Sequence, residues 1–346
     1  MVSTKNHLVG QDQPAGAFAH GATPQVAAPS GAPRLPFGGE QFADAAVQLS
    51  LLLGAEFYRA WLLARPTFQR YWRDHFSAIQ HITESQPKET PQSTRVQQNI
   101  GFAYAKHLRF EAAVLDVFDE GDAFLFEVPS EMLDFTNARE ALGLDRLTLG
   151  IALKRDKDDK FGGQCWKVSD RSYCISSVID KWAGVAAMEP AWAETEMARW
   201  LINHFRHELQ HIATTRWPRR FEHVWSPVPP GNYYWVQPHE ISCVAAQTAL
   251  VGHIAGRCAD AWETLEDTAS VMTLRRILGA IGRHNLPVPG YEGQTYHAIF
   301  ERMHSMHRSH LDRSFPSLHG VGPVRALEIA SAQLPHFFGT TTTAPS

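Results

Sequence analysis

The sequence predicts an α+β fold: an antiparallel sheet, then a long amphipathic helix, then a mainly helical C-terminal part. Three observations carry this. The stretches AAVLDVF, AFLFEV, RLTLGIAL, GQCWKV and SYCISSVI, between Glu111 and Ile179, alternate or cluster apolar and β-branched residues as strands do. From 190 to 334 apolar residues recur at helical spacing between Pro and Gly punctuation. A chain of 346 residues that is 44% hydrophobic and 20% charged is a folded protein with a substantial core, which excludes disordered, fibrous and disulfide-scaffold classes.

Taken in order, residues 1–39 are rich in Gly, Ala, Pro, Ser and Gln, and bury too little to offset chain entropy, so they read as a disordered leader. Lys5 is followed by His7, Gln11 and Asp12 instead of an apolar core, which excludes a cleaved secretory signal and places the chain in the cytoplasm or among proteins exported without one. Residues 40–98 read as a helical region and linker. Phe42, Ala46, Leu49, Leu53, Phe57, Trp61 and Leu62 form the buried stripe of one or two helices, and TESQPKETPQSTRVQQ, from Thr83 to Gln98, is an exposed connection.

The span 99–338 holds the sheet and the later helices, and 339–346 (GTTTTAPS) is a mobile tail. Asp119-Glu120-Gly121-Asp122 marks a hairpin turn between the first two strands, and Asn137 with Glu140 three positions on is the signature of a capping box. Later helices are expected at 190–215, 238–256, 260–284, 292–313 and 323–334.

A net charge of −4 gives no footprint for nucleic acid or anionic membranes. Gln48, Glu56 and Arg59 interrupt the most apolar helix, so no transmembrane span is expected. The four cysteines, Cys165, Cys174, Cys243 and Cys258, contain no C-x-x-C pair and read as reduced thiols, with a Cys165–Cys174 link between neighbouring strands the pairing left open.

The chain has 18 His, and imidazole is the commonest protein ligand for zinc, copper and iron. His207-Glu208-Leu209-Gln210-His211 matches H-E-x-x-H within the predicted 190–215 helix. At about 100° per residue the two histidines lie roughly 40° apart on consecutive turns and reach one metal. Glu208 is then a carboxylate beside a metal-bound water, suited to general-base work. Leu201, Phe205, Leu209 and Ile212 share an adjacent face, so the polar cluster flanks a buried seam.

Zinc with an open position for water needs a third protein ligand. Glu240 is the leading candidate, at the start of a helix opened by Pro238, and its neighbour His239 is the alternative.

From Trp192 to Leu250 the chain resembles the gluzincin branch of the zincin metallopeptidases, in which H-E-x-x-H on one helix is completed by a Glu on a later one. The resemblance implies His207, His211 and Glu240 as Zn2+ ligands, Glu208 as catalytic base, and a protein or peptide substrate paired with a sheet edge. It also implies a Tyr or His donor to the oxyanion, for which Tyr233, Tyr234, His239 and Tyr296 are candidates. The metzincin extension is absent, since Thr214 and Trp217 occupy its Gly and His positions.

Two rival readings stand beside this one. Two His and one carboxylate also describe a mononuclear non-haem iron oxygenase, and a non-catalytic helical adaptor would make HELQH accidental. His204 reads as a surface or helix-packing histidine, with a partner of the site or an extra metal ligand as the alternatives. His304, His307 and His310 step about 60° each round their helix and read as a solvated or packing face.

Overall fold

The computed structural model describes residues 39–71, 73, 101–113, 123–152, 163–178, 185–216, 237–257, 260–268 and 293–338. The expectations for the leader, the 83–98 linker, the 119–122 turn, Tyr233, Tyr234 and Cys258 fall outside them. So do residues 269–284 of the expected 260–284 helix and the whole of the tail.

Helix α1 (Gly39–Tyr71) is a single long helix. Its stripe, including Phe42, Leu49, Leu53, Phe57 and Trp61, is buried in the same apolar cluster as the later helices and the sheet. Glu56, also on α1, is fully buried and is paired with Arg59 at 2.6 Å and Arg109 at 2.6 Å. The second pair fastens the start of the sheet region to the helix.

Strands β1 (Glu111–Ala112), β2 (Ala123–Glu127), β3 (Arg146–Ala152), β4 (Gly163–Ser169) and β5 (Ser172–Val178) form one sheet in the order β1-β2-β3-β5-β4. The expected antiparallel sheet is in fact mixed. β5 enters between β3 and β4 and runs parallel to β3, while the other pairs are antiparallel. A central strand must be apolar on both faces, and the buried run Tyr173-Cys174-Ile175 meets that demand.

β4 is left at the edge, joined to β5 by a tight turn in which Arg171 takes a left-handed conformation (φ 63°). Cys165 faces Ile175, and Cys174 faces Trp166. The two thiols are thus offset along the ladder, and both are free.

Two short helices, α2 (Ser130–Phe135) and α3 (Ala138–Ala141), lie between β2 and β3. Here the capping-box expectation fails. Asn137 sits at φ 55°, ψ 20°, makes no side-chain cap, and donates its backbone N–H to Asp134 O to turn the chain between the helices. A cap needs extended backbone, whereas Asn tolerates the left-handed region this tight junction requires.

Helices α4 (Pro190–Arg216), α5 (Pro238–Ile254), α7 (Tyr296–Ser314) and α8 (Pro323–Ser331) follow near their expected bounds, and α6 (Ala261–Thr268) starts where expected. α4 packs on α1, α5, α8 and the edge strand β4, and α5 lies between α4 and α7. Leu201, Phe205, Leu209 and Ile212 are all buried, as their spacing predicts. Arg206 is buried too, and its guanidinium donates to Gln210 Oε1 at 2.8 Å. Desolvation lowers its pKa to about 10, which leaves it charged at neutral pH.

His304, His307 and His310 form a buried packing face against the core; they are not solvated. Burial is the main force on His304 and His307, pulling the first to about 4 and the second well below the ordinary value. Both stay neutral when folded and take up a proton on unfolding below about pH 6.5, so stability is full above that pH and falls as pH drops towards 4. Urea unfolding of His307→Leu between pH 6.5 and 4.5 should therefore show a shallower loss with acid, by up to about 1.4 kcal/mol per pH unit. An unchanged slope would contradict this account.

Candidate metal centre

The centre is built where α4 and α5 face one another. His207 and His211 stand on consecutive turns of α4, and Glu240 reaches them from the first turn of α5, where the helix dipole favours a carboxylate. Three side-chain ends converge. His207 Nε2 and His211 Nε2 are 3.1 Å apart, Glu240 Oε2 is 3.4 Å from the first, and Oε1 is 3.3 Å from the second. Glu240 is fully buried, and the two imidazoles are each 14% exposed, so one side of the cluster opens outward.

Chemistry decides what such a cluster is for. The Nδ1–H of His207 donates to Gln247 Oε1 at 2.8 Å, which turns the Nε2 lone pair towards His211 and Glu240. Lone pairs and a carboxylate held this close repel unless a proton or a cation sits among them. Neither Glu240 oxygen finds a hydrogen-bond donor among the described residues, although both are buried.

A tetrahedral zinc with ligands at about 2.0–2.1 Å sets its donor atoms about 3.3 Å apart, close to the separation of the two imidazole nitrogens and to that of each from its nearer carboxylate oxygen. The donor set thus fits a divalent cation that accepts two imidazoles and a carboxylate. A ligating histidine almost always has its other ring N–H held by an acceptor, and the Gln247 amide oxygen fills that role for His207.

The electrostatics agree. Burial acts to raise the Glu240 pKa, but the combined influence of His211, His207 and His239 outweighs it and holds the carboxyl down at about 2. Burial acts to lower the His207 pKa, and Glu240 more than offsets it, leaving it raised. At His211 burial prevails and the pKa falls to about 3, so this imidazole is neutral at pH 7 and keeps a lone pair.

His239 lies at the rim of this cluster, with Nε2 3.5 Å from Glu240 Oε1 and its ring centroid 5.9 Å from that of His211. Glu240 meets both α4 histidines, and His239 Nε2 approaches the same carboxylate oxygen as His211. Glu208 is 5% exposed and lies 3.9 Å from His204 Nδ1. Tyr296, at the start of α7, is buried with no hydrogen-bond partner for its hydroxyl among the described residues. Burial, then the charge of Glu240, pushes its phenol well above the ordinary value, which puts the ring within electrostatic reach of the cluster.

Sequence reasoning missed Cys243 and Gln247. Cys243 Sγ lies 3.4 Å from His211 Nδ1, and His207, His211 and Cys243 also form a group compact enough to hold a metal. The sulfur, however, faces the nitrogen of His211 that points away from Glu240, and burial raises the thiol pKa well above the ordinary value. Glu240, Cys243 and Gln247 recur at i, i+3 and i+7 on α5, one helical face, and that spacing was the available signal.

Comparison with protein-family models, curated proteins and solved structures finds no match for this chain. The chemistry of the centre therefore rests on its own geometry.

Two substitutions separate the donor sets. Glu240→Gln should abolish stoichiometric zinc binding, while Cys243→Ser should leave it intact, as read by titration with a fluorescent zinc competitor. Gln247→Ala should weaken zinc binding about 10- to 100-fold while circular dichroism stays unchanged. Loss of zinc in Cys243→Ser with retention in Glu240→Gln would reverse the assignment.

Proposed function

We propose that the chain is a zinc-dependent metallohydrolase, and specifically a peptidase, with His207, His211 and Glu240 as ligands and Glu208 as general base. The observation that carries this reading is the meeting of two Nε2 atoms and one carboxylate at 3.1–3.4 Å, with a second carboxylate on the residue next to the first ligand.

When bound, zinc would supply Lewis acidity, acidifying a water and polarising a carbonyl. The chain's own residues do the rest. Glu208 takes the proton of the attacking water and returns it to the leaving amine. The Tyr296 hydroxyl, otherwise without a partner among the described residues, offers a hydrogen bond to the developing oxyanion. Strand β4 is the edge of the sheet and packs against α4, and an edge strand can align an extended peptide by backbone pairing. This favours a peptide substrate over a small ester or amide.

No helix among the described residues is long and apolar enough to cross a membrane, and the net charge is −4. A protein or peptide partner suits this surface better than nucleic acid or anionic lipid.

The test is elemental analysis by plasma mass spectrometry of the purified chain beside His211→Ala, followed by assay on a peptide library. Wild type should carry about one zinc and the variant none. Glu208→Gln should keep zinc while hydrolysis falls about 100- to 10,000-fold, and Tyr296→Phe should lower kcat about 100- to 1,000-fold. Iron in place of zinc would favour an oxygenase, and hydrolysis that survives Glu208→Gln would remove the proposed base.

A further inference from the structure

A second set of polar groups lies behind Glu208, buried between α4 and the sheet. Ser177 Oγ on β5 is 2.6 Å from His204 Nε2, and His204 Nδ1 faces Glu208 Oε1 at 3.9 Å. The His204 ring stacks flat on Trp200, one turn earlier on α4, with centroids 5.0 Å apart and planes at 5°. Ser177, His204 and Glu208 are 1%, 8% and 5% exposed.

In composition this is a Ser-His-carboxylate chain, which elsewhere activates a serine nucleophile. Here that direction is closed, because Ser177 lies on an interior strand of the sheet and is buried away from any substrate. The chain therefore works the other way. Ser177 and Trp200 fix the imidazole from the sheet and helix sides, and the imidazole faces the carboxylate.

From this geometry we infer that His204 is a positioning residue for Glu208, with its Nδ1–H directed at the carboxylate and its Nε2 accepting the hydroxyl proton of Ser177. This rests on the reading of Glu208 as general base. A lone pair on Nδ1 would point at a negative oxygen, so the proton belongs on Nδ1, and Ser177 supplies the donor that Nε2 then needs. At 3.9 Å the His204–Glu208 contact is an attraction of dipole and charge and is too long for a hydrogen bond. It biases the carboxylate's orientation, and catalytic contacts commonly tighten only in the reacting complex.

The two amide substitutions divide this role from a merely structural one. His204→Asn keeps a donor at the Nδ1 position and loses the bond to Ser177. His204→Gln reaches Ser177 and leaves nothing at the Nδ1 position. Positioning predicts that Gln lowers kcat about 10- to 100-fold with KM and zinc content unchanged, while Asn stays within about threefold of wild type. A structural tie between α4 and β5 predicts the reverse order, and equal effects of both variants would also overturn the inference.

A second readout needs no activity. In the nitrogen NMR spectrum of the full zinc-loaded chain, with the His204 signals found by their loss in His204→Asn, the ring should be the Nδ1–H tautomer, and Glu208→Gln should shift it. The Nε2–H tautomer would overturn the inference. Full activity in Glu208→Gln would instead overturn the general base itself, so the two failures are distinguishable.

Discussion

Glu240 is a fully buried carboxylate on a helix that is apolar almost all round, and the arrangement of this molecule follows from what that charge requires. An ionised carboxylate out of water is costly unless cations or donors surround it. Its surroundings here are the His207 and His211 imidazoles of α4 and its own neighbour His239. The packing of α4 on α5 is thus more than apolar contact, because it closes this polar centre within a seam that the buried Gln210–Ser242 bond also crosses. Gln247 and Cys243 continue that centre along α5, each meeting the Nδ1 of one α4 histidine.

The remaining elements hold this pair of helices in place. α1 lies against α4 through Phe57 and Phe205, whose rings meet edge-on at 5.0 Å. α7 covers the other side of α5 with a row of neutral, buried histidines, and the sheet meets α4 at β4. The bond from Ser177 to His204 is where the sheet reaches the polar face of α4. A rigid scaffold of this kind suits a centre whose ligands must be held within a few tenths of an ångström.

Much of this was legible in the sequence. H-E-x-x-H fixes two imidazoles and one carboxylate on one helix whatever the tertiary fold, since the geometry is local. Pro238 and the carboxylate two residues on mark a helix start, which placed Glu240 at an N-terminal turn before its partners were known. What was not legible depended on contacts distant in the chain. That β5 would insert beside β3 is a matter of strand order, which alternation of residue types does not encode.

Asn137 and Glu140 have the spacing of a capping box, but a left-handed turn between two short helices took precedence. Arg206 is buried although arginine as a type is mostly exposed, and Ser177 shows its role only once β5 is laid against α4. His304, His307 and His310 were read as a solvated or packing face, and the structure selects packing.

The claim on which the account turns is that the cation is held by His207 Nε2, His211 Nε2 and the Glu240 carboxylate. X-ray absorption at the zinc edge of the zinc-loaded chain tests it most directly, because sulfur and lighter donors scatter differently and sit at different distances. The account predicts a shell of nitrogen and oxygen alone at about 2.0–2.2 Å. A sulfur contribution at about 2.3 Å would contradict it, because it would place Cys243 on the metal and require His211 to turn away from Glu240.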